Sequence, residues 1–338
     1  MLIEQPWLPG ILFDLCEEDM SKGEVIIATT QMSRHGFCIT RDYLERASQD
    51  IRLKGCMPID VEHIHTVPPI GRIAETRVVA LDDNVYALVA KLEYFELERP
   101  YVLPSGDPVV WRRVNGPSHP FASDASPPAI LGIQYDPVNI DSEDDLQFIK
   151  AALPMDGAAV FSPFSRNARI PDPELIIAVG EALVKLFLVK YVLKPIAEEI
   201  GRQISAEFGV FMRSTKSVCA RWAQRAIPLG KCRTYIVHIA GTPEIDLAAE
   251  TADVDLFLGA LTEEKTGEAI RHAHDLHQHI AATKIQYLLD GDGHWKFNYL
   301  LTSEGDVIGT PLSFDRQKRR YELSFSQVSD DPDATGSE

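Results

Sequence analysis

A chain of 338 residues is long enough for about two domains. Its 45% apolar and 25% charged residues exclude a disordered chain, and its net charge of −17 excludes duplex nucleic acid as the main partner, since phosphate binding needs concentrated Lys and Arg. The five cysteines (Cys16, Cys38, Cys56, Cys219, Cys232) show no CxxC spacing and read as buried free thiols of a reducing cytosol. The N-terminus, Met-Leu-Ile-Glu-Gln-Pro, lacks the basic and apolar regions of an export signal, so the expected location is cytoplasmic.

The run Glu24–Thr30 is a short β-branched strand. Thr40 caps a helix whose apolar positions Tyr43, Leu44, Ala47 and Ile51 follow helical spacing. Arg72–Ala80 and Val85–Tyr94 read as a hairpin around Asp82-Asp83-Asn84. From Glu98 to Asp141 the chain is rich in Pro, Gly and Ser and reads as an insertion over the surface. Ser142 and Asp145 form a capping box for a helix presenting Leu146, Ile149 and Leu153. Ala158–Phe164 is one more strand of the first domain.

Pro171-Asp172-Pro173-Glu174 has the form of a helix start, and the run that follows is apolar nearly all round from Leu175 to Leu193. Pro195 kinks or breaks this helix, and Ile196, Ile200, Ile204, Phe208 and Phe211 continue it as an amphipathic stripe. Glu181, Lys185 and Lys190 interrupt the run, so it is most simply buried between domains or subunits. Six basic residues and no acid between Phe208 and Pro243 make peripheral membrane contact the alternative, unless those cations pair with acids elsewhere.

Downstream, Tyr235–Ala240 and Glu244–Glu250 are strands, Thr262–Thr283 is a helix, and Lys284–Leu289, His294–Leu301 and Asp306–Gly309 are strands. Trp295, Phe297, Tyr299 and Leu301 recur with a period of two, which predicts one buried face, and Tyr321, Leu323 and Phe325 repeat the pattern. The tail from Ser329 is acidic and reads as disordered.

The segment Pro58–Ile73 reads PIDVEHIHTVPPIGRI, and on an extended strand His63 and His65 point to the same side. Paired imidazoles can supply a general base and its orienting partner. A metal reading, with Asp60 or Glu62 as third ligand, has no second cluster at zinc spacing beside it. The strand, the short helix, the Pro-Ile…His…Pro-Ile-Gly-Arg-Ile run and the Asp-rich hairpin, about 70–80 residues within 24–96, resemble the front half of phage prohead (capsid maturation) serine proteases. The resemblance implies a herpesvirus-protease-like fold with a Ser nucleophile served by a His and an orienting residue. His63 matches the family's catalytic His, His65 would be its partner, and Ser162 in Val160-Phe161-Ser162-Pro163 is the candidate nucleophile, although the family's Ile-Gly after Ser is absent.

His272, His274, His277 and His279 share one helix without an i, i+4 pair, which argues against zinc there, and Asp290-Gly291-Asp292-Gly293 fits a hairpin turn better than a calcium loop. Neither GxGxxG nor GxxxxGK occurs, so no cofactor is expected. The expected fold is α+β: a β-rich, protease-like domain at 1–170 with its insertion at 98–141, a long kinked apolar helix and basic connector at 171–230, a small α/β sheet domain at 231–328, and a tail at 329–338. The function these readings imply is a Ser-His peptidase acting on a protein substrate. The alternative is a non-catalytic scaffold that self-associates, or docks on a protein partner or membrane, through the apolar helix 174–211.

Overall fold

The computed structural model describes residues 24–31, 38–61, 64–82, 84–122, 131–152, 159–163, 173–180, 198–229 and 231–329. The fold is mixed α/β and divides into two units. Unit 1 joins Met1–Val102, Pro108–Ser123 and Thr302–Glu338, and unit 2 joins Leu103–Asp107 and Asp124–Leu301. The units therefore cross the expected boundaries at 170 and 230, because the chain returns from unit 2 to complete unit 1.

In unit 1 a four-stranded sheet has the order β1-β4-β3-β2, built from β1 (Glu24–Thr29), β2 (Met57–Ile59), β3 (Gly71–Asp82) and β4 (Val85–Tyr94). Helix α1 (Arg41–Lys54) packs on it, capped by Thr40, whose side chain accepts from the Tyr43 amide. Leu44 of α1 meets Ile27, Ile73, Leu88 and Ala90 in a dry core, the expected consequence of the helical spacing of its apolar side chains. Gly55 ends the helix with φ +121, and a Cβ there would come within 2.4 Å of the Pro120 carbonyl oxygen, so the position needs glycine twice over.

Three further strands of unit 1 lie in the order β5-β6-β14: β5 (Leu97–Val102), β6 (Pro108–Arg113) and β14 (Val307–Gly309). The supposed surface insertion at 98–141 thus carries two strands here and β7 (Leu131–Tyr135) in unit 2. Its Pro and Gly residues punctuate strands, as Pro104 to Gly106 do at the β5–β6 turn. The last helix, α6 (Pro311–Ser329), replaces the alternating strand expected at Tyr321–Phe325; Tyr321 and Leu323 are exposed on it, so their spacing of two reflects no buried face. The tail beyond Ser329 lies outside the described residues.

Unit 2 holds seven strands in the order β13-β12-β11-β10-β9-β7-β8. They are β7, β8 (Ala159–Pro163), β9 (Glu174–Val179), β10 (Arg233–Ile239), β11 (Glu244–Thr251), β12 (Ala282–Leu289) and β13 (Trp295–Thr302). Parallel pairing joins β7 to β8, β9 to β10 and β11 to β12, while β7–β9 and β10–β11 are antiparallel. The helices are α2 (Glu143–Lys150), α3 (Glu198–Arg225), α4 (Val254–Ala260) and α5 (Glu263–Ile280).

The sheet departs from the sequence expectation in three places. Residues 174–179 are not the start of a long helix but β9, flanked by β7 and β10. A strand buried on both faces reads as a continuous apolar run, as a buried helix does, and β-branched Ile-Ile-Ala-Val favours the strand. The rest of the supposed apolar run, 181–197 with Pro195, lies outside the described residues, and no described helix is long and apolar enough to cross a membrane. The second correction is that β8 pairs with β7 in unit 2 and does not extend the four-stranded sheet. Likewise β13 is buried on both faces from Asn298 to Thr302, not on one.

Alternation assigns the two faces of the seven-stranded sheet. Leu175, Ile133, Tyr135 and Phe161 surround an apolar pocket with Ile149 of α2 and Trp222 of α3. Tyr235 stacks on Phe257 of α4 at 4.8 Å, and the Tyr287 hydroxyl bonds His272 of α5. By ladder register these strand residues share one face, which the four helices cover. Burying that face of large apolar side chains is what holds unit 2 together.

Candidate functional site

The opposite face carries the ionisable groups. His238 of β10 stands directly across from Asp246 of β11, which stands across from Gln286 of β12. His238 Nδ1 lies 2.7 Å from Asp246 Oδ1, and Lys284 Nζ lies 2.7 Å from Asp246 Oδ2. The carboxylate is 3% exposed, the imidazole 14% and the lysine 25%. An ionised carboxylate only accepts, so Nδ1 carries the proton and Nε2 is left as the working nitrogen. Beyond the triad, Asn298 Nδ2 donates to Gln286 Oε1 at 2.8 Å.

The electrostatics follow from this placement. Burial pushes the His238 pKa down, but the hydrogen bond and charge of Asp246 outweigh it; Lys284 opposes and Glu244 adds, and the net direction is up. Burial pushes Asp246 up, yet the Lys284 charge and the His238 hydrogen bond carry it well below the usual carboxylate range. For Lys284 burial is again outweighed, here by Asp246, and its pKa rises. The result is an anchored anion between an ammonium and an imidazole whose Nε2 has no hydrogen-bond partner among the described residues.

The residues singled out from sequence are distributed differently. His63 lies outside the described residues. His65 sits in a turn of unit 1, where the Ile64 amide donates to the Val61 carbonyl, and not on a strand, so strand alternation says nothing of its side. The two prolines that follow lack amide donors, and their carbonyls are held from α6, where Gln317 Nε2 donates to Pro68 and Pro69 at 2.8 Å each. Ser162 belongs to unit 2, half-buried on outermost strand β8 and paired in register with Gln134. It shares the sheet face of His238, but β7 and β9 lie between β8 and β10, three strand spacings or about 14 Å laterally, so no hydrogen bond joins them.

Other candidates resolve into structural roles. His277 Nδ1 bonds the Ala282 carbonyl and His279 Nδ1 the Asp275 carbonyl, and among the described residues no three His, Cys, Asp or Glu side chains converge on a metal site. Asp290 closes the β12–β13 turn by accepting from the amides of Asp292 and His294. Two members of the basic stretch pack on α2: Arg221 donates to the Phe148 carbonyl at 2.7 Å and Arg225 pairs with Asp145 at 3.2 Å. Cys56 and Cys219 are buried, whereas Cys38 and Cys232 are exposed, so burial does not describe all the thiols; Cys16 lies outside the described residues.

His238, Asp246 and Lys284 escaped sequence reading because each stands on a different strand, and only the ladder unites them. One signal was present: Tyr-Ile-Val-His-Ile, Glu-Ile-Asp-Leu and Lys-Ile-Gln-Tyr each set an ionisable residue inside an apolar strand. Compared with family models, curated proteins and solved structures, the chain matches none.

Proposed function

We propose that unit 2 is a hydrolytic acid–base unit in which His238 Nε2 takes a proton from an attacking water and Asp246 holds the ring. The carrying observation is the 2.7 Å bond from Nδ1 to a carboxylate whose other oxygen is already bound, on the sheet face opposite the helices. Such an anchored imidazole has one orientation and one tautomer, and the charge of Asp246 raises its basicity. In the first step Nε2 accepts the water proton as the hydroxide oxygen bonds to the electrophilic carbonyl or phosphoryl centre. In the second, the imidazolium returns that proton to the leaving group. The test is turnover of p-nitrophenyl acetate, bis(p-nitrophenyl) phosphate and casein by the full chain and by His238→Asn. Loss of 10²–10⁴-fold in kcat/KM, the usual worth of a general base, supports the reading; turnover of none of the three, or an unchanged rate in the variant, overturns it.

A second reading, the Ser-His peptidase implied by the prohead-protease resemblance, keeps Ser162 as nucleophile. Favouring it is the half-exposed position of Ser162 on an outermost strand, where an extended chain can reach its hydroxyl. A fluorophosphonate probe that labels wild type and not Ser162→Ala supports it, and equal labelling of both removes Ser162 from the chemistry.

A further inference from the structure

Lys284 occupies a more particular position than a counter-ion needs. In the β11–β12 ladder its register partner is Glu244, while its ammonium reaches the next inward carboxylate, Asp246, at 2.7 Å. One cation thus stands beside two carboxylates that lie two residues apart on the same face of one strand. Glu244 is 5% exposed and Asp246 2%, so neither charge is screened by bulk water. From the β9 side the register partner of His238 is Ala178, which adds no charge. Among the described residues, the charged groups that act on the imidazole are Asp246 and Glu244 on β11 and Lys284 on β12.

We infer that Lys284 is a positioning residue: by clamping Asp246 Oδ2 and balancing Glu244, it fixes the orientation and the basicity of His238 Nε2. The inference rests on the reading of His238 as the acid–base group. Without the charge of the ammonium, the imidazole loses the cation that opposes Asp246 and Glu244 and holds its proton more tightly. A base that keeps its proton near neutral pH is a poor base, so Lys284 keeps the dyad usable there.

The experiment is a titration of His238 in the ¹⁵N-histidine-labelled full chain, its resonance identified by its loss in His238→Asn. Lys284→Gln, which retains a donor without the charge, is expected to raise the titration midpoint by about one pH unit. Lys284→Arg is expected to return it to the wild-type value. Glu244→Gln reads the same field without touching Lys284 and is expected to lower the midpoint, so the inference is tested even where the Lys284 variants fail to fold. An unmoved or lowered midpoint in folded Lys284→Gln, or no downward movement in Glu244→Gln, overturns it. Failure of the hydrolytic reading is a separate result, unchanged turnover in His238→Asn, whatever the Lys284 variants do.

Discussion

Asp246→Asn is the perturbation that bears hardest on the ion cluster, because one side chain there holds two cationic partners. Its carboxylate is 3% exposed and lies 2.7 Å from both His238 Nδ1 and Lys284 Nζ. Asparagine keeps the volume and one acceptor but removes the charge, leaving the ammonium of Lys284 without its closest anion. Removing one partner of a buried ion pair costs about 3–5 kcal/mol, because the survivor stays desolvated and uncompensated. For a domain of 150–250 residues each kcal/mol moves the midpoint by about 2–4 °C, so a fall of roughly 6–20 °C in Tm is expected. Urea unfolding followed by circular dichroism measures the loss directly. The double variant Asp246→Leu with Lys284→Met is expected to recover at least half of it, since an apolar pair leaves no buried charge. A single variant within 1 kcal/mol of wild type refutes the reasoning, as does a double variant that loses the sum of the two single losses.

Three further outcomes follow from separate parts of the molecule. The folded pKa of His238 lies above its unfolded value of about 6.5, so its contribution to stability is full below that pH and is lost as pH rises through the folded pKa. Wild type is therefore expected to lose more stability than His238→Asn between pH 6 and 9, measured as urea midpoints; parallel curves contradict this. In unit 1 the buried guanidinium of Arg72 pairs with Glu93 at 2.7 Å and donates to the carbonyls of Pro117 and His119, so Arg72→Met is expected to cost about 3–5 kcal/mol in the same assay, against less than 1 if those bonds are incidental. Under native conditions Cys38 and Cys232 are expected to react with a thiol reagent while Cys56, pushed up to about 12 by burial, and Cys219, pushed up likewise, do not; peptide mapping that shows equal rates denies their burial.

Where one element decides its own conformation, the sequence was legible. Thr40 with its helical apolar positions, Ser142 as cap, and the turn at 290–293 all form where local chemistry asks for them. Residues 174–179 were not legible, because a run apolar on both faces fits a buried helix as well as a buried strand; pairing with β7 and β10 decides it. Nor was the make-up of unit 1, whose Pro68 and Pro69 carbonyls find their donor in Gln317, about 250 positions away. The ion cluster illustrates the same limit at the level of chemistry. Single residues on β10, β11 and β12 have no common spacing in the chain, and become neighbours only through ladder register.

The proposed chemistry requires that Nε2 of His238 does the proton transfer. The most direct measurement is the pH dependence of kcat/KM for whichever of the three substrates is turned over, set beside the ring titration of His238 in the same buffer. An ascending limb that coincides with that titration and moves with it in Glu244→Gln is the expected result. A limb that stays in place while the imidazole midpoint moves contradicts the assignment.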